Sequence, residues 1–159
     1  MAEVSPDEFA GWFDAHAGAM VLYARQWLDA DAARDVVQDV FIRLASRRRP
    51  DNVRAWLFRS VRNAALNEIR SRRRRNDRQE RVGQGKAAWF EPRPDEAMDA
   101  EAAQRALAEL DQPLREVVLL RLWGGMTLME IAQAVGAPVS TVHARYESAL
   151  KLLRKRLDA

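Results

Sequence analysis

The chain has 159 residues, enough for one domain or for two small ones, and its net charge is only +3. Hydrophobic residues make up 48% of it and Gly and Pro are few, a composition typical of an all-helical (all-α) protein. The absence of cysteine excludes disulfide scaffolding, thiol catalysis and thiolate metal sites. The N-terminus lacks the pattern of a signal peptide, and no run approaches the roughly eighteen apolar residues of a membrane span. We therefore expect a cytoplasmic protein without membrane insertion.

Charge is distributed unevenly along the chain. Residues 1–42 contain eight acidic and two basic residues, whereas residues 43–81 contain fourteen arginines and four acidic residues. Residues 82–159 are nearly balanced, with ten basic and eleven acidic residues. An acidic block beside an arginine-rich block indicates two different partners. The basic block favours nucleic acid, because guanidinium groups form forked hydrogen bonds with phosphates and stack on bases.

Three helices are predicted in a first domain, residues 1–78. The first spans residues 5–28, and the second follows a break at residues 29–31 and runs to about Ala45. Asp51 or Asn52 is a candidate cap for the third helix, which is expected to dissolve at the arginine run 72–75. The apolar stripes of the second and third helices are Ala33, Val37, Val40, Phe41 and Leu44, and then Val53, Leu57, Phe58, Val61, Ala65 and Ile69.

A flexible linker is predicted at residues 79–100, because this segment contains Gly and Pro and no sustained hydrophobic period. It is mildly acidic, with six acidic and three basic residues across 80–101. Its unusual feature is the pair Trp89-Phe90, which either anchors the linker to a partner or packs back onto a domain.

The second domain, residues 101–159, is predicted to hold four helices. The first reaches Leu110, and Pro113 fits the first turn of the second. Thr127 and Glu130 match the Thr-x-x-Glu capping box, so a third helix should begin there. Gly136 ends it, and the last helix runs from about residue 139 to 157.

The last two helices have the pattern of a helix-turn-helix. One face of the last helix is apolar, while the other carries Ser140, Thr141, His143, Arg145 and Glu147. In such a motif the apolar face packs, and the N-terminal residues of the other face enter the major groove of DNA. An ordinary helical hairpin fits the same pattern, so the motif predicts DNA binding without proving it.

Two sets of motifs carry a resemblance to a known family. The N-terminal set is Asp35-Val36-Val37-Gln38-Asp39-Val40-Phe41, Trp56-Leu57, Arg62-Asn63, Asn67 and Arg70. The C-terminal set is Ala106-Leu107, Leu110, Arg115-Glu116-Val117, Leu120-Arg121, Gly125-Met126-Thr127, Glu130-Ile131-Ala132, Gly136, Thr141-Val142, Arg145, Ala149 and Leu153-Arg154. Together, in this order, they resemble the extracytoplasmic-function (ECF) sigma factors of bacterial RNA polymerase and cover almost the whole chain.

The resemblance implies a transcription initiation factor, not an enzyme, that needs no cofactor or metal and directs core RNA polymerase to promoter DNA. It implies polymerase binding, to the β′ clamp helices and the β subunit, through Asp35, Gln38, Asp39 and Ile42. It implies recognition and melting of the minus-ten element by the loop 46–52 and the third helix, with Arg47, Arg48, Arg54, Arg59, Arg62, Asn63, Asn67 and Arg70. It implies recognition of the minus-thirty-five element by Thr127, Ser140, Thr141, His143 and Arg145. Members of the family are often held inactive by an anti-sigma factor, which is a further candidate partner.

The match is imperfect in the last helix, where Pro138 replaces the Ser that commonly opens it. His143 and Ser148 occupy positions that are usually basic, so positive charge on the groove-facing side is reduced. For Trp56, core packing is favoured over stacking on an unpaired base.

Two other readings remain open. A stand-alone helix-turn-helix regulator needs a ligand or phosphoacceptor domain, for which this chain is too short. An Arg-rich RNA-binding protein leaves the acidic helix and the helix-turn-helix unexplained. An enzyme is disfavoured, because the two histidines are far apart in sequence and no catalytic constellation is visible.

Overall fold

A computed structural model describes residues 3–76, 102 and 105–158, and these residues form helices joined by turns, without a strand. The chain divides into two compact units, Met1–Ala87 and Ala88–Ala159. The prediction of an all-helical protein is confirmed. The predicted linker, with Trp89 and Phe90, lies outside the described residues. No helix in the described part of the chain is both long enough and apolar enough to cross a bilayer.

The first unit contains three helices, α1 (Pro6–Ala24), α2 (Ala30–Ala45) and α3 (Val53–Asn76). A short polar side chain precedes each one and accepts a hydrogen bond from the backbone amide three residues further on. The distances are 3.2 Å for Ser5, 2.8 Å for Asp29 and 3.1 Å for Asn52. Such caps satisfy amides that have no partner inside the helix. They explain why α2 and α3 begin where the sequence predicts.

Side chains from all three helices form the core of the first unit. Tyr23 of α1 meets Phe58 of α3 edge-on, with ring centroids 5.8 Å apart. Full burial of a large apolar side chain stabilises a fold by about 1.5–3 kcal/mol. The predicted stripes of α2 and α3 are buried, except that Ile69 is only half-buried. The fully buried large residues here are Met20, Tyr23, Val40, Leu44, Leu57, Phe58 and Val61.

The expectation that the third helix dissolves at residues 72–75 is wrong, because α3 continues through all four arginines to Asn76. Glu68 Oε1 accepts hydrogen bonds from Arg72 Nε at 3.3 Å and from Arg75 Nη2 at 3.5 Å, one and two turns further along. These contacts offset the repulsion between neighbouring guanidinium groups, and arginine itself is a good helix former.

The second unit contains the helical residues 105–109 (α4), followed by α5 (Gln112–Leu122), α6 (Leu128–Val135) and α7 (Val139–Leu157). Its core comes mainly from α5 and α6, with Val142 and Ala149 of α7 packing against them. Pro113 lies in the first turn of α5, as predicted. The small Ala132 is buried in α6.

Local hydrogen bonds set both ends of α6. Thr127 Oγ1 accepts from the amide of Glu130 at 3.1 Å, and Glu130 Oε1 accepts from the amide of Thr127 at 3.0 Å. This is the predicted capping box. Gly136 ends the helix in the left-handed conformation with φ 71°, and its amide donates to the carbonyl of Ala132 at 2.9 Å.

The left-handed Gly136 yields a stability prediction. A Cβ there would meet no atom within 4 Å, so Gly136→Ala has only the conformational cost of a positive φ, about 1–2 kcal/mol. Gly136→Asn is the matched control, because Asn tolerates this conformation better. Amide hydrogen exchange in α6 and α7 of the intact chain measures both. Equal effects of Ala and Asn would contradict this explanation.

Candidate nucleic-acid and partner interfaces

The exposed side of α2 carries an acidic face, which we define as Asp35, Gln38, Asp39 and Ile42. These residues are three or four positions apart and therefore lie on one side of the helix, opposite its buried stripe. Ile42 is 57% exposed. Among the described residues, neither carboxylate forms an ion pair. The face thus offers two solvated negative charges beside an apolar contact point.

Most of the predicted polar residues of α3 share one exposed line, which we call the outer stripe. At 3.6 residues per turn, positions 56, 59, 63, 67, 70 and 74 fall within a narrow sector of the helix, away from the buried residues. Arg59, Asn63, Asn67 and Arg70 are exposed there, as the sequence predicts. The remaining members of the outer stripe are Trp56 and Arg74.

Arg74 is missed by sequence reasoning, because the helix was expected to end before it. Arg74 is exposed and continues the outer stripe by one more turn. Arg72 and Arg75 instead lie on the opposite side, bonded to Glu68, and Arg72 Nη1 is also 3.9 Å from Asp29 Oδ2. The spacing of four residues between Glu68 and Arg72 is the sequence signal that separates these arginines from the outer stripe.

Arg54 and Arg62 are not full members of the outer stripe. Both are half-buried and are engaged in contacts within the protein. Arg62 lies to one side of the stripe, whereas Arg54 lies on the opposite side of α3, in line with Arg72. Of the six polar residues of α3 that the resemblance assigns to the minus-ten element, four therefore lie together on the outer stripe.

The loop between α2 and α3 carries Arg47 and Arg48, both exposed. The guanidinium carbon of Arg47 lies 4.9 Å from the ring centroid of Trp56, and its Nε donates to the carbonyl of Arg48 at 2.9 Å. The favoured placement of Trp56 in the core is therefore wrong. Helical periodicity puts Trp56 on the outer stripe, where it is half-buried beneath Arg47.

The predicted residues of α7 divide into an exposed pair and two flanking residues. Ser140 and His143 are exposed, whereas Thr141 and Arg145 are half-buried at the edge of the same surface. His143 Nε2 lies 3.7 Å from Glu147 Oε1, and both side chains are 59% exposed. A carboxylate beside the histidine lowers the positive charge available to a phosphate. Pro138 provides no side-chain cap, as predicted.

Thr127 is exposed at the start of α6, and its oxygen already accepts the capping hydrogen bond. A hydroxyl group that accepts one hydrogen bond can still donate its own proton. Thr127 is therefore able to serve the helix cap and an external acceptor at once.

Two charged residues of the second unit, Arg115 and Glu116, form hydrogen bonds within the fold. Arg115 Nη1 donates to the carbonyls of Ala108 and Leu110, at 3.3 and 3.4 Å, and so joins the end of α4 to α5. Burial lowers the pKa of Arg115 from its ordinary value, and the charge of Asp111 partly opposes that shift. Glu116 is buried and accepts from Gln112 Nε2 at 3.2 Å.

The described residues hold no group of three or more His, Cys, Asp or Glu side chains placed to bind a metal ion. His16 lies edge-on to Phe58 with ring centroids 6.2 Å apart. This histidine therefore belongs to the packing of the first unit.

Comparison with known proteins divides the chain in the same way as its two motif sets. Residues 12–75 match Sigma-70 region 2, and residues 100–153 match Sigma-70, region 4. The chain is 33% identical to the ECF RNA polymerase sigma factor SigL of Mycobacterium tuberculosis, over 92% of this chain and 86% of that protein. It is 30% identical to the ECF RNA polymerase sigma factor SigK of Mycobacterium bovis, over 65% of this chain and 58% of that protein.

Two solved structures are similar to the whole chain. One is the sigma factor RpoE in complex with the anti-sigma factor NepR from Bartonella quintana, with a TM-score of 0.78 and 22% identity over 98% of this chain and 99% of that one. That likeness shows the fold. The other is CnrH in complex with the cytosolic domain of CnrY, with a TM-score of 0.63 and 26% identity over 97% of this chain and 90% of that one.

The two alternative readings do not account for these matches, since neither a stand-alone regulator nor an RNA-binding protein requires a region 2 ahead of a region 4. The chain belongs to the ECF sigma factors of bacterial RNA polymerase, which are transcription initiation factors.

Proposed function

We propose that this sigma factor divides its work among three surfaces. The acidic face binds core polymerase, the outer stripe with the loop 46–52 binds the minus-ten element, and α7 binds the minus-thirty-five element. The observation that carries the proposal is the separation of charge in the first unit. Exposed carboxylates occupy α2, while exposed arginine and asparagine side chains occupy α3.

The acidic face suits a basic protein surface. The two carboxylates, which form no ion pair within the described part of the chain, attract guanidinium and ammonium groups, and Ile42 adds an apolar contact that loses water on binding. The proposed partner surface is the pair of β′ clamp helices, with the β subunit as the second polymerase partner. Such a partner places the protein in the cytoplasm, acting as a binding subunit rather than as an enzyme.

The outer stripe contains two kinds of residue, those that bind the DNA backbone and those that recognise bases. Arg59, Arg70 and Arg74 neutralise phosphates, whereas Asn63 and Asn67 donate to and accept from base edges. Trp56 offers its ring to an unpaired base when the guanidinium of Arg47 moves aside, and such stacking is worth about 1–3 kcal/mol per base. Arg47 and Arg48 contact the backbone beside that base. Arg62 supports the stripe from its side, and Arg54 supports α3 from the side opposite the stripe.

The face of α7 that is directed at the major groove binds more weakly. Ser140, Thr141 and Arg145 contact DNA, and His143 adds a full positive charge only when protonated. Thr127 donates its hydroxyl proton to a phosphate. We infer that most of the electrostatic attraction to DNA comes from the first unit.

An anti-sigma factor is the remaining proposed partner. Two structural neighbours are a sigma factor bound to an anti-sigma factor and CnrH bound to the cytosolic domain of CnrY.

Charge reversal tests the acidic face. We expect Asp35→Lys with Asp39→Lys to abolish binding to core polymerase and run-off transcription from a promoter library. Both residues are exposed, so the free energy of unfolding should change by less than about 0.5 kcal/mol. Asp14→Lys, an exposed carboxylate on α1, is the control. Failure of the unchanged protein to bind core polymerase would overturn the proposal.

Two arginines of one run test the outer stripe. Arg74→Ala should lower the slope of log K against log salt by about 0.9 in magnitude, because one phosphate contact is lost. Arg72→Ala is the matched control and should leave the slope nearly unchanged, since Arg72 is held by Glu68 on the opposite side. The measurement is binding of the polymerase holoenzyme to labelled duplex promoter DNA over a range of salt concentrations. Equal slopes for the two variants would contradict the proposal that Arg74 contacts DNA and Arg72 does not.

Base reading is tested separately from charge. Asn63→Ala should change the preferred bases in a randomised minus-ten element while leaving the salt slope unaltered, because asparagine carries no charge. Each lost base contact should reduce discrimination by about 1–3 kcal/mol. Sequencing of the promoters that are transcribed in the run-off assay measures the preference. A uniform loss of activity with no change in preference would place Asn63 outside the base-reading surface.

A further inference from the structure

The three consecutive arginines of the loop 46–52 have three different environments. Arg47 lies over Trp56. Arg48 is exposed, and within the described part of the chain its guanidinium makes no ion pair or ring contact. Arg49 turns toward α1, a helix with no proposed role in binding DNA.

On α1, Arg49 meets two side chains one turn apart. Its Nη1 lies 3.1 Å from Glu8 Oε2, and its guanidinium carbon lies 5.3 Å from the ring centroid of Trp12. Glu8 Oε2 is shielded from solvent, and its contact with Arg49 is an ion pair rather than an aligned hydrogen bond. The side chains as a whole remain exposed, 42% for Arg49 and 40% for Glu8, so the pair has the strength of a surface ion pair.

We propose that Arg49 is a positioning residue that fastens the minus-ten loop to α1 through Glu8 and Trp12, and that it does not itself bind DNA. The proposal rests on the proposed function of the loop. It assigns α1 a role in promoter recognition, because the helix holds the segment from which Arg47 and Arg48 reach the DNA.

The physical gain is preorganisation. A loop fixed before DNA arrives loses less conformational freedom on binding, and the apparent dissociation constant rises when only a fraction of molecules hold the competent conformation. The ion pair of Arg49 with Glu8 is exposed, and its cation–π contact with Trp12 is of ordinary strength. Loss of both contacts should lower the affinity for promoter DNA by about fivefold.

Glu8→Gln distinguishes a tethering Arg49 from a DNA-binding Arg49, because the two roles predict opposite changes in DNA affinity. If Arg49 were a DNA ligand, removing Glu8 would release it, remove a negative charge and tighten binding. If Arg49 is a tether, the same change weakens binding by about twofold, the share of the exposed ion pair alone, despite the more favourable net charge. Asp7→Asn is the matched control, because Asp7 is an exposed carboxylate in the same first turn of α1.

The experiment uses holoenzyme and a labelled promoter fragment with a preformed minus-ten bubble, together with hydrogen exchange of the amides of residues 46–52 in the free chain. Weaker binding and faster loop exchange for Glu8→Gln than for Asp7→Asn support the tether. Tighter binding, or behaviour equal to that of Asp7→Asn, overturns it. If Glu8→Gln lowers the unfolding temperature, the charge swap Glu8→Arg with Arg49→Glu decides, since restored affinity supports the tether and continued loss overturns it.

Arg48→Ala keeps this test independent of the proposed function. Loss of DNA affinity in Arg48→Ala supports the loop as a DNA-binding segment. Unchanged affinity overturns that role, while the hydrogen exchange of Glu8→Gln still reports whether Arg49 holds the loop.

Discussion

The buried side of α3 is the constraint on which the first unit depends. Leu57, Phe58 and Val61 are fully or almost fully buried in the core shared with α1 and α2, so the helix cannot rotate without exposing them. A helix held on one side presents a fixed set of residues on the other. The outer stripe follows from this packing, because its members lie opposite the buried residues. The core thus aligns polar side chains that are spread over almost the whole length of α3.

Local charge pairing then decides which arginines remain available to DNA. The block 43–81 holds fourteen arginines, yet Arg72 and Arg75 share Glu68, and Arg49 is paired with Glu8. A guanidinium group already bound to a carboxylate releases fewer counterions on meeting a phosphate. The net charge of the block therefore overstates its electrostatic contribution to DNA affinity. That contribution depends on the placement of each carboxylate as much as on the number of arginines.

In the proposed function, the second unit adds a weaker and independent contact with DNA. Its helix-turn-helix is set by the Thr127 capping box and by Gly136, while the groove-facing side of α7 includes Glu147 beside His143. Two modest binding modules on one chain reinforce each other, because binding of the first raises the effective concentration of the second. A promoter with both elements is then favoured over DNA that offers only one.

Much of this protein could be predicted from its sequence alone, because the features concerned depend on residues within one or two helical turns. The caps at Asp29, Asn52 and Thr127, the end of α6 and the acidic face of α2 all follow from such spacing. The end of α3 was missed, because the pairing of Glu68 with two arginines outweighs repulsion within the run. The prediction of Trp56 in the core is wrong, because its position on the helix, and not its hydrophobicity, decides which side of α3 it occupies. The pairing of Arg49 with Glu8 and Trp12 was decided only by the tertiary structure, since these residues are distant in sequence and meet only when the core packs α1 beside the loop.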